Sequence, residues 1–378
     1  MSQLFSSTQK LFNSIFANAA VHKIFLLSQP YREILSVNLM QRKELLREQV
    51  KHMRIKRRLT VDQLVRQFQN SGSFGAGRIS TACDIYERMV RDEDCTVFLA
   101  LAGAMVPAGM RSLIADMIRE NLIDVLVTTG ANMVHDALEA VGGHHYKGHW
   151  FVDDYMLYKN HTYRIYDVFV PEEDFIKLDC ELVKMYDQIA NDYKGKTLSS
   201  RDFAWELGRR LRDPDSILRA AYEAKAPIFI PAVRDSEFGY IYYLHASRRA
   251  FKNTLVVDGF KDVPEIISIC RGASRNGMIV IGGGVPRNTI QSAALATKSG
   301  MDYAVVITMD RAEPGGLSGS TLEETVSWGK LKGQADKVMV ISDAMIVFPT
   351  IVASVVERLG KDFKRARNVK FEDHIVKE

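Results

Sequence analysis

Cysteine is scarce in this chain, and long apolar runs are missing. Cys83, Cys95, Cys180 and Cys270 are the four cysteines among 378 residues, far apart and with no CxxC pair. That spacing excludes a disulfide-stapled scaffold or a cysteine-rich zinc module and suits buried thiols in a reducing compartment. No apolar stretch approaches the roughly 18–20 residues a membrane span needs. Neither a phosphate-loop lysine motif nor GxGxxG occurs. Acids are missing from the first 32 residues, and no arginine precedes Arg32. A transit peptide lacks acids but is rich in arginine, so that reading fails on the second count. Leu4, Leu11, Phe12, Ile15, Phe16 and Ala19 instead fall at helical spacing, as in an amphipathic helix.

With 47% hydrophobic and 25% charged residues, the composition is that of an ordinary globular enzyme. We expect a cytoplasmic protein with no membrane or nucleic-acid partner. The net charge of +4 hides an asymmetry: residues 1–60 hold eleven Lys/Arg against three acids, leaving the remainder negative. KHMRIKRRL is basic enough for a nucleic-acid patch, but no aromatic stacking platform or recognition-helix pattern accompanies it. The division expected is a basic, helical N-terminal extension over 1–59 and one domain over 60–378.

That domain repeats one pattern. Short apolar runs empty into small or polar residues, and a helix follows. CTVFLALAGAM (95–105), IDVLVTT (123–129), APIFIPAV (226–233), TLVVDGF (254–260), MIVIGGGVP (278–286), Tyr303–Ile307 and Val338–Ile341 all read as strands. Buried strands alternating with helices predict an α/β fold, a Rossmann-like and mostly parallel sheet with helices on both faces. Such a sheet builds its site at the carboxyl ends of its strands. Small residues at those exits let a dinucleotide phosphate approach backbone amides. SGSFGAGR (71–78) lacks both a preceding strand and a phosphate-loop lysine, so it is a weak nucleotide motif. His144, His145 and His149 in GGHHYKGHW have no cysteine or carboxylate close by in sequence and read as solvated loop histidines, with no metal expected.

The stretch Thr308–Phe348 organises the rest. It reads as a Gly/Ser/Pro loop, a short helix TLEETVSWGK, and a strand ending in Ser342-Asp343. Lys330 follows Trp328 by two places, with Glu323 and Glu324 upstream. A lysine acts covalently as the free amine, giving an imine with a carbonyl or iminium carbon, and an indole can hold a cation on its face. The alternative is a solvated lysine at a helix C-terminus.

VSWGK, preceded by GGLSGSTLEE and followed by SDAMIVFP, resembles the active-site region of the deoxyhypusine synthase family. The resemblance covers roughly residues 60–360 through IDVLVTTGAN, PAVRDSEFG, GMIVIGGGVP and MDYAVVIT. VSWGK together with IGGGV at this separation is specific, whereas either alone is weak. The resemblance implies an NAD-dependent transferase, a homotetramer with active sites shared across a dimer interface. Spermidine is oxidised, its aminobutyl group passes to Lys330 as an imine, and a lysine of a translation factor receives it. Implied NAD contacts are Gly103, Ala104, Ala108, Thr128, Thr129, Gly130, Asp235, Gly283, Gly284, Ser318, Ser342 and Asp343. A cofactor-contacting glutamate of the family is replaced here, with His135 or Asp136 as candidates. Implied substrate residues are Trp328 and Glu324, together with three departures. Asn288 stands where the family has a histidine, and Tyr240 and Leu317 stand where it has aspartates.

Each buried ammonium needs a partner, so losing two carboxylates changes which amine fits. Agmatine or another polyamine is therefore an alternative donor. A homospermidine-type reaction with a free amine acceptor is a second reading, and a non-catalytic NAD- or polyamine-binding paralogue is a third.

Overall fold

The computed structural model describes residues 46–367, apart from 299, and residue 369. Residues 1–45, with most of the expected helical extension, lie outside the described ones. Residues 46–59 form turns, a bend and irregular chain rather than helix. The fold below is that of the unit Met53–Glu378.

Helices α1 (Val61–Ser71) and α2 (Phe74–Arg91) lead into β1 (Cys95–Leu101), whose seven residues are all buried. The turn Val106–Met110 and α3 (Arg111–Arg119) return the chain to β2 (Val125–Thr128), and α4 (Gly130–Ala140) follows. An insert comes next, with β3 (Tyr146–Lys147), α5 (Asp154–Lys159), β4 (Thr162–Ile165) and β5 (Val168–Pro171). Helices α6 (Glu172–Tyr193), α7 (Ser200–Arg210) and α8 (Ile217–Ala224) precede β6 (Ile228–Phe229) and α9 (Glu237–Arg248). Then come α10 (Asp262–Gly272), β7 (Arg275–Ile281), α11 (Gly284–Ala296), β8 (Met301–Thr308), α12 (Leu322–Ser327), β9 (Leu331–Ile341) and α13 (Ala344–Leu359).

Local chemistry sets several of these boundaries. Thr60 and Ser199 close capping boxes with Gln63 and Asp202, and Thr129, Ser216, Thr321 and Asp343 cap α4, α8, α12 and α13. Each side-chain oxygen accepts an amide hydrogen that the first helical turn leaves unpaired.

The six long-range strands pair in parallel in the order β6-β2-β1-β7-β8-β9. Alternate residues enter two cores, as the two-residue period of a strand requires. Val97, Leu99 and Leu101 join Ile279, Ile281 and Ile307 under α2, α3, α6 to α8 and α13. Phe98 and Ala100 join Met278, Val280 and Val306 under α10, α11 and Leu322 of α12. Helices thus cover both faces, as the apolar runs predicted.

From β1 the chain adds β2 and β6 on one side, then returns to add β7, β8 and β9 on the other. The order reverses between β1 and β7, the switch point where an open parallel sheet leaves a crevice.

Two expectations fail locally. TLVVDGF forms no strand, keeping only an isolated pairing of Val257 with Leu198, and the insert's antiparallel sheet β3-β5-β4 was not foreseen. No helix among the described residues is long and apolar enough to cross a membrane.

Candidate functional site

Lys330 does not end a helix. The last helical residue is Ser327, and Gly329 adopts φ +70°. Gly329 N donates to Val326 O at 2.9 Å and Lys330 N to Thr325 O at 3.3 Å. These two bonds form a Schellman motif, which satisfies helix carbonyls and needs a left-handed residue where glycine stands. The chain then turns directly into β9, which begins at Leu331 and not at Val338. Its first half is polar because β9 is an edge strand, with a register shift opposite Met301–Tyr303.

This turn presents the Lys330 amine to two groups. Its Nζ donates to Asn288 Oδ1 at 3.0 Å and lies 5.4 Å from the centre of the Trp328 ring. No carboxylate among the described residues is within ion-pair distance of it. The amine is therefore positioned by a neutral amide and an aromatic face. Trp328 is 63% exposed, which leaves its ring available to a ligand. Glu324 is also exposed, in the first turn of α12, its amide capped by Thr321 at 3.1 Å. Leu317 is half-buried in the turn Leu317–Gly319.

Arg287 holds these pieces together, and nothing local in the sequence announces it. Its guanidinium is fully buried, donating from Nη1 to Leu317 O at 3.0 Å and from Nη2 to Ser320 O and Thr325 Oγ1, both at 3.1 Å. Burial lowers its proton affinity below the ordinary guanidinium range, and the nearby Glu324 carboxylate opposes that. Arg287 thereby ties α11, which carries Asn288, to both ends of the loop that leads to Lys330.

The predicted cofactor residues gather at the opposite end of the sheet. Leu331 pairs with Met301 where β8 begins, whereas Ile341 pairs with Thr308 where it ends. Gly103, Ala104 and Ala108 follow β1, Thr128 to Gly130 follow β2, and Asp235 follows β6. Gly283 and Gly284 follow β7, Ser318 follows β8, and Ser342 and Asp343 follow β9. All twelve are at strand carboxyl ends. Tyr240 lies on α9 beyond the far edge strand β6, and it is not brought to Lys330 within this chain.

Several of these residues shape the crevice rather than present side chains to it. Thr128 Oγ1 donates to Leu101 O at 3.0 Å, joining the exits of β2 and β1. Asn132 Oδ1 accepts from Val106 N at 3.2 Å, which fixes the turn after β1. A Cβ on Gly130 would collide with Ser236 Oγ, and one on Gly283 would collide with the Ser318 backbone. One on Gly282 would reach Ala102 Cβ at 3.4 Å, so the exits of β1 and β7 are already in contact range. Gly103 and Gly109 take φ +76° and +109°. α11 begins after Gly283, an N-cap residue with no side chain to cap it, leaving the first amides to a ligand. Close backbone, glycine exits and an uncapped helix start fit a dinucleotide phosphate.

The candidates around α4 have other partners. Asp136 is fully buried, accepting from Arg111 Nε at 2.7 Å, Ser216 Oγ at 2.8 Å and the amides of Ile217 and Leu218 at 2.9 Å. It is a structural anchor and has no oxygen to spare for a cofactor. His135 Nδ1 lies 2.9 Å from His145 Nε2. His145 is therefore no solvated loop histidine: its side chain is 6% exposed, and its Nδ1 meets Glu139 Oε1 at 2.6 Å. Among the described residues no group of three or more His, Cys, Asp or Glu could hold a metal.

Comparison with known proteins accounts for this arrangement. The family model for deoxyhypusine synthase matches residues 63–355. The chain belongs to the deoxyhypusine synthase family. Family members are NAD-dependent aminobutyl transferases, and NAD is the family's cofactor. A protein assigned as deoxyhypusine synthase 1 in Methanosarcina mazei is 45% identical over 312 residues, 82% of this chain and 96% of that one. One assigned likewise in Archaeoglobus fulgidus is 42% identical over 308 residues, 81% and 97% of the two chains. A crystal structure from Entamoeba histolytica, of a protein assigned as a deoxyhypusine synthase, superposes with a TM-score of 0.57 at 20% identity. It covers 83% of this chain and 99% of its own, and shows the shared fold. The family match spans both Lys330 and the strand exits of this deoxyhypusine synthase family member.

Proposed function

We propose that this protein transfers an aminobutyl or related aminoalkyl group from a polyamine, through an imine on Lys330, to a lysine of a translation factor. The observation that carries the reading is the Lys330 amine, held by Asn288 and the face of Trp328 on a turn of fixed geometry. The exits of β1, β2, β7, β8 and β9 would hold NAD, which when bound supplies a hydride acceptor and later returns the hydride.

The chain's own groups do the rest. Trp328 offers an aromatic face to the cationic chain of the amine, and Glu324 offers a carboxylate to one of its ammonium groups. Lys330 Nζ attacks the iminium carbon once the donor is oxidised. The carbon–nitrogen bond to the departing diamine breaks, and the leaving nitrogen takes the proton that Nζ releases. The acceptor lysine then displaces Lys330 in the same manner.

Tyr240, on α9 beyond β6, is not brought to Lys330 within one chain, and that supports a homotetramer in which a second copy completes the site. Tyr240 and Leu317 in place of carboxylates favour a donor with fewer or differently spaced cations, with agmatine the alternative to spermidine. The test is to incubate protein, NAD and spermidine and measure release of 1,3-diaminopropane. Release by the wild type and none by Lys330→Arg supports the reading, because arginine keeps the charge but forms no imine. Equal release by both contradicts it.

A further inference from the structure

Away from the crevice, a cavity of about 480 Å³ lies between the end of α2 and residues 363–367, the segment that follows α13. Arg365 fixes its place in the fold, donating to Cys95 O where β1 begins and to Asp124 just before β2. Four cations line the cavity, Arg91, Lys364, Arg365 and Arg367, against one acid, Glu93. Two of the four are answered by carboxylates. Arg91 Nε meets Glu87 Oε1 at 2.9 Å, and Arg365 Nη2 meets Asp124 Oδ2 at 2.7 Å. Lys364 is exposed and Arg367 half-buried. Among the described residues, no carboxylate stands within ion-pair distance of either.

Arg367 is held only by neutral groups. Its Nη1 donates to the carbonyls of Ile123 and Asp124, and its Nη2 to Ile118 O and Asn121 Oδ1, at 2.5 to 2.9 Å. The Nε atoms of Arg365 and Arg367 are both buried without a partner among the described residues. Burial pulls Arg367 down to about 10, with Asp124 opposing and the charge of Arg365 adding to the fall. Two neighbouring guanidiniums that share one carboxylate leave a buried charge uncompensated, which is costly. An anion in the cavity supplies the missing partner. The four neutral acceptors hold the guanidinium plane in advance, so little is lost in ordering it.

The lining favours one class of anion. A phosphate offers several charged oxygens at once, enough for a guanidinium and an ammonium together. The cavity falls within the roughly 300–1,000 Å³ of small-molecule sites, and Val90 and Phe363 add an apolar wall. Lys364, Arg365 and Arg367 all lie beyond residues 63–355 of the family match.

We propose that Lys364 and Arg367 bind a phosphate group, free or carried by a small organic molecule, and that the bound phosphate strengthens the joint between residues 363–367 and the starts of β1 and β2.

The experiment titrates the full chain with inorganic phosphate, AMP and adenosine at constant ionic strength, by calorimetry and by urea unfolding. Phosphate and AMP should bind and raise the urea midpoint, and adenosine should do neither. AMP binding tighter than phosphate identifies an organic phosphate as the ligand, and equal binding identifies the free ion. Lys364→Gln changes an exposed side chain and should weaken both about tenfold, the worth of one charged hydrogen bond. Lys364→Arg should restore them, and Arg367→Gln should lose them. Gly283→Ala disturbs the crevice, where amides could also take a phosphate, and should leave the Lys364-dependent binding unchanged. No response to phosphate or AMP, adenosine acting as AMP does, or affinities equal in wild type and Lys364→Gln would overturn the assignment.

Discussion

Lys330 and Arg287 show what one residue's surroundings decide. VSWGK points to Lys330 through its resemblance to the deoxyhypusine synthase family, and the glycine before the lysine has a local consequence in the structure, the Schellman exit. Arg287 carries no such local mark, since its three acceptors lie thirty or more residues away. The substitutions at the far end of the polyamine pocket are legible in sequence, and their effect follows from charge. Leu317→Asp combined with Tyr240→Asp should raise affinity for spermidine about tenfold or more by supplying partners to two ammonium groups. An unchanged dissociation constant would show that the pocket is elsewhere.

Two titrating side chains act in opposite directions. Burial and the neighbouring His145 hold His135 down to about 4, with Glu139 opposing, against 6.5 for an ordinary imidazole. Unfolding therefore takes up a proton between those values, and His135 makes stability fall as pH drops from 6.5 to 4. Asp262 is raised to about 6 from 3.8, burial first, with Ser200 donating to it and Glu265 adding repulsion. The folded protein binds that proton more tightly, so Asp262 makes stability fall as pH rises from 3.8 to 6. Urea unfolding at pH 7 and pH 5 should show His135→Gln less sensitive to acid than wild type by roughly 1–2 kcal/mol. Asp262→Asn should be more sensitive to acid than wild type. Identical pH dependence in all three would refute both assignments.

Among the elements, the strands and their exits were readable because an apolar run is followed by small or polar residues such as glycine, alanine, threonine or serine. The insert was not. Its strands are two to four residues long and mostly half-buried or exposed; β3 (YK) and β4 (TYRI) mix tyrosine with polar side chains, and the apolar run of β5 (VFVP) is only three residues before a proline. The first half of β9 was missed for a related reason: LKGQAD is polar, as suits an edge strand. Glycines at tight junctions give the element its test. Gly283→Ala forces a methyl into the Ser318 backbone, where overpacking costs about 1–3 kcal/mol. It should lower the affinity for NAD at least tenfold while the Lys330 turn stays intact. Gly329→Ala, at φ +70°, should cost about 1 kcal/mol and reduce turnover far more than NAD binding. Swapped effects, read by calorimetry and turnover, would mean the two junctions have been misassigned.

For the whole molecule, fold class was legible and strand order was not, because the switch between β1 and β7 depends on where the crossovers return. Nor did the sequence reveal the C-terminal clamp. Arg365 is buried, donating to both Asp124 oxygens at 2.9 and 2.7 Å and to Cys95 O at 2.6 Å. Asp124 also accepts from Val97 N at 2.8 Å. Arg365 thus bolts the segment that follows α13 to the starts of β1 and β2, away from the crevice. Arg365→Leu removes two charge-assisted bonds from the buried Asp124 carboxylate and should cost about 3 kcal/mol in urea unfolding, with turnover per folded molecule unchanged. A stable variant would show the clamp to be dispensable.

The central claim is that Lys330 becomes covalently bonded to the amine's carbon chain. The most direct measurement mixes protein and NAD with spermidine, and separately with agmatine, without any protein acceptor. Borohydride reduces any imine, and intact and peptide masses are then read. We predict an aminobutyl-mass adduct from spermidine, or the matching guanidino adduct from agmatine, on Lys330 and on no other lysine, absent without NAD and absent in Lys330→Arg. No adduct from either amine, or the same adduct in Lys330→Arg, would contradict the account.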